Sequence, residues 1–276
     1  MSASAQSSSA QSTTWDPERY LRFADQRGRP FEDLVARIPA DDPQWVADLG
    51  CGPGNATALL ARRWPSALVL GVDSSAEMIE AAADRAIPGR LEFVRADLRT
   101  WRAPQPVDVL VSNATLQWVP GHLDLLPGLL GQVKPGGWFG FGVPGNFTAP
   151  SHMLLAELQR DSRWSEHFSG AQFRPSSYEP IDYLHALTAA GAQAEVWETT
   201  YYYVVPGETG VLDFVYSTAL RPVLAELGGA ETPAARGFID AYADALRIAY
   251  PPTTLDGETV QILPYRRLFA IARVPD

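Results

Sequence analysis

Blocks of apolar positions recur along the chain from residue 44 onward, and they switch between strand-like and helix-like spacing. The short apolar run 44–49 predicts a buried strand, and 56–64 predicts a helix. Further strands are predicted over 67–72, 91–95, 107–112 and 138–143, with helices over 75–86 and 123–133. Pro88-Gly89 and Lys134-Pro135-Gly136-Gly137 mark the ends of those two helices. Strands alternating with helices predict an α/β fold: a doubly wound, mostly parallel sheet with helices on both faces.

Beyond residue 150 the pattern changes. Helices are predicted over 151–168 and 178–190, then an aromatic and β-branched strand over 195–205. Two more helices, 208–227 and 234–249, precede a last strand over 268–274. The expectation is therefore a seven-stranded sheet with a helical cap inserted before the last strand. Residues 1–14 offer nothing large and apolar to bury, which predicts a disordered leader. One domain is expected over 15–276, with cap elements at about 15–40, 147–177 and 206–262.

Charge and cysteine content narrow the class of function. The 276 residues carry a formal net charge of −10, which speaks against a broad phosphate-binding face and so against a nucleic-acid partner. Cys51 is the one cysteine, so no internal disulfide forms. No apolar run approaches the roughly 20 residues that span a bilayer, and the first residues lack the basic and apolar regions of a secretory signal. The four histidines, His122, His152, His167 and His185, show no metal-ligand spacing, so no metal is expected.

The candidate chemistry begins at 47-ADLGCGPGN-55. Gly50, Gly52 and Gly54 follow the first strand directly, where glycine lets the backbone turn tightly and approach a ligand. The next helix offers free N–H groups. Asp48, two residues before Gly50, suits a cationic amino group and would repel a pyrophosphate. A dinucleotide fingerprint would need its third glycine at Asn55. Asp73, beside Ser74 at the end of the second strand, can accept two ribose hydroxyls, or can instead cap the next helix. Asp97 is placed to accept from an adenine amino group with Leu98 packing on the base, unless it is merely a solvated acid. Asn113 ends the fourth strand, where open α/β sheets bind ligands, and Trp118 is either a pocket wall or a core residue.

Taken in order, 47-ADLGCGPGN-55, Asp73, 95-RADL-98, 111-VSNATLQW-118 and 134-KPGG-137 resemble the class I S-adenosylmethionine-dependent methyltransferase family over roughly residues 45–143. A closer resemblance runs nearly end to end. The stretches 15-WDPERYLRFADQRGRP-30, 111-VSNATLQWVPGH-122, 199-TTYYYVVP-206, 220-LRP-222 and 267-RLFAIAR-273 are similar to the trans-aconitate 2-methyltransferase family. The regions 203–210 and 264–266 depart from its pattern. The resemblance implies a Rossmann-like cytoplasmic enzyme. It would move a methyl group from S-adenosyl-L-methionine to a carboxylate of trans-aconitate, giving a monomethyl ester and S-adenosylhomocysteine. Carried over, Asp48, Gly50, Gly52, Asp73, Asp97 and Asn113 match the cofactor motifs, and Trp15, Tyr20 and Arg29 match a segment that closes over the cofactor. Asn113-Ala114-Thr115-Leu116 lacks the N-P-P-Y pattern of amide or adenine-amine methylation.

A carboxylate is already ionised near neutrality, so its methylation needs no general base, and no catalytic side chain beyond positioning groups is expected. A polycarboxylate entering an acidic protein needs cations or donors for the carboxylates that stay charged. Arg221, Arg266 and Arg267 are the candidates, since guanidinium pairs bidentately and keeps its charge when buried. Tyr201 and Tyr203 offer hydroxyls from one face of a strand, with Tyr202 on the other. Surface ion pairing for the arginines and sheet packing for the tyrosines are the competing readings. A different acceptor (another acid, a phenol or an amine) stays open, as do a nicotinamide-dependent oxidoreductase and a non-catalytic adenosyl-binding regulator. A monomer or weak homodimer is expected.

Overall fold

The computed structural model describes residues 24–168 and 176–276. Its sheet places β1 (Trp45–Leu49) between β2 (Leu68–Asp73) and β4 (Val107–Asn113), with β3 (Leu91–Arg95) outside β2 and β5 (Val133–Pro144) outside β4. These five strands pair in parallel. Next to β5 lies β8 (Glu258–Arg273), running antiparallel, and then β6 (Gln193–Pro206), giving the order β3-β2-β1-β4-β5-β8-β6. The order reverses at β1 and β4, the switch point at which open α/β sheets leave a crevice beyond their strand ends. Val46, Ala47 and Leu49 of β1 and Val109, Leu110 and Val111 of β4 are fully buried, as strands covered on both faces require.

The helices are α1 (Ala24–Ala36), α2 (Asn55–Arg63), α3 (Ala76–Ala82), α4 (Leu126–Leu130), α5 (Pro150–Leu158), α6 (Pro180–Ala189), α7 (Gly210–Val215), α8 (Arg221–Glu226) and α9 (Pro233–Ala249). On one face of the sheet Leu34 of α1 and Ile38 just beyond it lie against Gly140 of β5. On the other, Tyr183 and Leu187 of α6 and Leu126, Leu129 and Leu130 of α4 pack with Phe139, Phe141 and Leu268. Pro180 at the first turn and a Glu179–Asp182 capping box fix the start of α6.

The described residues fall into two units: 25–148, 176–203 and 264–276 hold most of the sheet, and 149–168 and 204–263 hold the inserted helices. In the second unit α9 buries Ala235, Phe238, Tyr242 and Leu246 at helical spacing. Its Tyr242 hydroxyl donates to the Ser151 carbonyl at 2.8 Å, and Trp164 meets Phe238 edge-on.

Several expected bounds move, each for a local reason. The helix expected over 123–133 shrinks to a 3₁₀ turn plus α4, because Pro127, Gly128 and Gly131 interrupt it. The helix expected over 151–168 stops at Leu158 and gives way to turns. The last strand starts at Glu258, because an Asp256-Gly257 turn with φ of 51° and 82° folds the short β7 (Thr253–Leu255) back on it, adding an eighth strand. Helix α1, which carries Pro30, was hidden inside the segment read only as a cap element.

Candidate active site

The glycine loop turns directly after β1. Gly50 and Cys51 donate their N–H groups to the Val72 carbonyl at 2.7 and 3.1 Å, which sews the loop to β2. Gly50 has φ of +78°, and a Cβ there would stand 2.1 Å from Thr115 Oγ1. Gly52 has φ of +53° and open space where its Cβ would be. The first glycine is thus fixed by its neighbours, while the second leaves a bare stretch of backbone for a ligand.

Asp73 bridges this loop to the next helix. Its Oδ2 accepts from the Gly52 N–H and its Oδ1 from the Ser75 N–H, each at 2.9 Å. The helix cap is Ser75, whose hydroxyl accepts from the Met78 N–H, so Asp73 is not spent on capping. Ser74 is exposed, and its carbonyl accepts from Arg95 Nε at 3.0 Å.

Asp48 is 2% exposed and accepts from the Thr57 hydroxyl at 2.7 Å. Burial pushes its carboxyl up to about 7. The Thr57 hydrogen bond opposes that shift, and the nearby Asp73 adds to it. A buried carboxyl with a hydroxyl but, among the described residues, no cation paired to it is suited to receive one.

Asp97 and Leu98 follow β3. Asp97 is half-buried and ion-paired to Arg99, and that bond holds its carboxyl below the ordinary range. Leu98 packs on the core. Asn113 ends β4, and its Oδ1 is buried without a partner. Trp118, in the 3₁₀ turn Leu116–Trp118, is 48% exposed rather than part of the core. Trp15 and Tyr20 lie outside the described residues. Arg29 is exposed on α1, and its charge is felt at Tyr203.

The later candidates separate by strand alternation. Arg267 pairs across from Pro144 at the end of β5. It is 6% exposed, its guanidinium lies 5.0 Å from the Tyr265 ring, and its Nε and Nη1 are buried with no partner among the described residues. On the same face Tyr203 stacks on Tyr201 at 5.9 Å and meets Tyr265 at 5.8 Å. The Tyr201 hydroxyl donates to Asp33 at 2.6 Å. Burial pushes the Tyr203 hydroxyl up to about 12 against the pull of Arg267, so it stays protonated and able to donate at neutral pH.

Arg266, one residue away, takes the opposite face. It is ion-paired to Glu198 at 2.5 Å and Glu179 at 3.0 Å. Arg221 is exposed at the start of α8, in the unit of inserted helices. His122 is a core strut. Its Nδ1 faces the Val119 carbonyl at 3.2 Å and therefore carries the proton, leaving Nε2 to accept from the Tyr183 hydroxyl at 2.8 Å. Among the described residues no group of three His, Cys, Asp or Glu is arranged to hold a metal.

Three residues escaped the sequence reading: Tyr265, Asp33 and Asn146. Asn146 is 4% exposed with an unpartnered Oδ1, just past the end of β5. Its signal was available, since Pro-Gly-Asn follows a predicted strand at the edge where ligands bind.

The donor set fits S-adenosylmethionine. Asp48 would meet the cofactor's ammonium, bare backbone at Gly52 would allow close approach, and Asp73 has lone pairs left for ribose. A family model for a methyltransferase domain matches residues 46–137. The YcgJ protein of Bacillus subtilis shares the fold, with a TM-score of 0.58 at 12% identity over 90% of this chain and 99% of that one. Fold, loop and domain together define an S-adenosylmethionine-dependent methyltransferase.

Two relatives narrow this further. The trans-aconitate 2-methyltransferase of Streptomyces avermitilis is 51% identical over 94% of this chain and 96% of its own length. That of Streptomyces coelicolor is 51% identical over 97% and 89%. The chain belongs to the trans-aconitate 2-methyltransferase family.

Proposed function

We propose that this chain transfers a methyl group from S-adenosylmethionine to a carboxylate of trans-aconitate, giving the monomethyl ester and S-adenosylhomocysteine. The observation that carries the reading is Arg267, a buried guanidinium with Nε and Nη1 unpartnered beside three tyrosines. An unpaired buried cation costs several kcal/mol of desolvation, and a carboxylate ligand offsets that cost. A phenol or amine acceptor would leave the guanidinium unsatisfied. That the Streptomyces relatives are trans-aconitate 2-methyltransferases supports the same acceptor.

The bound cofactor supplies an electrophilic methyl group on a sulfonium. Asp48, Gly50, Gly52, Asp73, Ser74, Asp97, Leu98, Asn113 and Trp118 are its proposed site, with Trp15, Tyr20 and Arg29 closing over it. Arg267 with Tyr201 and Tyr203 is the proposed acceptor side. Arg267 holds a carboxylate that keeps its charge, and the tyrosine hydroxyls orient the acid. No proton has to be removed from a carboxylate, so the residues act by binding and orienting. The reading takes the protein as one cytoplasmic domain over 15–276, a monomer or weak homodimer, with a small polycarboxylic acid as partner and neither nucleic acid nor membrane. No described helix is long and apolar enough to cross a membrane.

The test is to incubate the purified chain with methyl-labelled cofactor and a panel of trans-aconitate, monocarboxylic acids, phenols and amines. Label is expected in a base-labile ester of trans-aconitate. Label that goes to a phenol or an amine instead overturns the reading.

A further inference from the structure

The two arginines Arg266 and Arg267 of β8 and the Asn146 amide just past β5 differ in charge and in partners. Pro144 stands opposite Arg267, and the ladder continues as the Gly145 N–H donates to the Arg266 carbonyl at 2.9 Å. Side chains alternate along both strands. Pro144 therefore shares the face of Arg267 and Tyr265, while Arg266 points away to Glu198 and Glu179, and Asn146 follows two residues after Pro144, just past the end of β5. Around this strand end the described residues leave one buried cation with two unpartnered nitrogens, on Arg267, and one buried neutral amide with an unpartnered oxygen, on Asn146.

The chemistry needs both kinds of group. In methyl transfer a carboxylate oxygen bonds to the methyl carbon, the methyl–sulfur bond breaks, and its electron pair stays on sulfur. No proton moves. One negative and one positive charge vanish together. A fixed cation on the reacting carboxylate would stabilise the starting anion more than the transition state, in which that charge is already shrinking, and so would slow the step. A neutral donor loses much less as the charge disappears, and it can still bond the carbonyl oxygen of the ester. A carboxylate that stays charged throughout has no such conflict with an arginine.

We propose that the Asn146 amide holds the carboxylate that becomes methylated, while Arg267 holds one that does not; this rests on trans-aconitate being the acceptor. Half a turn of the amide exchanges Oδ1 and the NH2 group without changing its shape, so a carboxylate draws the donor toward it. Asn146 is thereby a specificity residue, since it sets which carboxylate faces the methyl group.

The experiment compares wild type, Asn146→Ala and Asn146→Asp. It measures KM and kcat for trans-aconitate, the position of the ester by NMR, and calorimetric affinity for S-adenosylhomocysteine. Asn146→Ala is expected to raise KM about tenfold, the loss of one hydrogen bond, and to turn a single monomethyl ester into a mixture. Asn146→Asp sets carboxylate against carboxylate and is expected to raise KM further. Cofactor-product affinity is expected to stay unchanged in both. Variants that keep the wild-type KM and a single ester overturn the proposal. So do variants that lose S-adenosylhomocysteine affinity in step with activity, because that makes Asn146 a structural residue. A wild-type enzyme that forms no ester of trans-aconitate fails the acceptor reading itself, and the proposal with it.

Discussion

At the β1–β3 end of the sheet edge the proposed cofactor side is made of backbone and acids, and at the β5–β8 end the proposed acceptor side is made of side chains around one cation. The first end is a run of nine residues whose glycines adopt left-handed angles, with Asp48 and Asp73 supplying negative charge. The second takes Asn146 from just past the end of one strand, Tyr201 and Tyr203 from another strand, and Tyr265 and Arg267 from a third. The signs of charge are opposite because the ligands are. An ammonium and a ribose want acids, and a polyacid wants a guanidinium. The cofactor end depends on backbone conformation, whereas the acceptor end depends on strand register and on which face each residue takes.

The sharpest way to break the comparison is at Gly50. Gly50→Ala combines a left-handed angle with a Cβ that collides with Thr115, and is expected to cost ~3 kcal/mol or more of stability. Gly52→Ala meets open space and is expected to cost ~1–2 kcal/mol from its angle alone, while still weakening the cofactor. Thermal unfolding of both variants separates them. Equal losses would remove the distinction between a packed and a ligand-facing glycine.

Next in size is Asp73→Ala. Loss of charge-assisted bonds is expected to weaken S-adenosylhomocysteine by ~1.5–3 kcal/mol, with the KM for trans-aconitate unchanged at saturating cofactor. Calorimetric titration with steady-state kinetics checks both halves. A change confined to the acceptor would place Asp73 at the wrong end.

The smallest effect is a pH dependence from Asp48. Its carboxyl in the free protein titrates near about 7, raised by burial. An arriving ammonium favours the ionised form, so below about 7 binding must release a proton. Affinity for S-adenosylhomocysteine is expected to fall as pH drops from 8 to 6, by up to about tenfold per unit below that value. For the fold the sign is opposite. A raised carboxyl contributes stability that is complete below its unfolded value and is lost as pH rises toward about 7. Asn at position 48 is expected to bind weakly and without this slope, which titrations at several pH values will show.

The same contrast explains what was legible in the chain. The parallel core and the glycine loop could be read because their signals are local: short apolar runs, then Gly50, Gly52 and Asp73 at fixed offsets. Arg266 and Arg267 could not be told apart, because they lie before the expected last strand, and only the pairing of β8 with its neighbours shows which of the two joins the tyrosine face. The stacking of Tyr203 on Tyr201 and against Tyr265 likewise depends on two strands meeting from distant parts of the sequence. The Asp256-Gly257 turn is a local signal of the same kind, and it sets the early start of β8. Trp118 was ambiguous because nothing in a short loop says which way an indole points, and it lies exposed.

The central claim is that Arg267, buried with Nε and Nη1 unpartnered among the described residues, binds a carboxylate of the acceptor. The most direct measurement is the ratio of kcat/KM for trans-aconitate to that for a monocarboxylate with the same double bond, in wild type and in Arg267→Met, alongside the melting temperature. The ratio is expected to fall about 100-fold or more, since one partner of a buried charge pair is lost. The melting temperature is expected to hold or rise, because an uncompensated buried charge has been removed. An unchanged ratio, or a variant that unfolds more easily while treating both acids as the wild type does, would contradict the account.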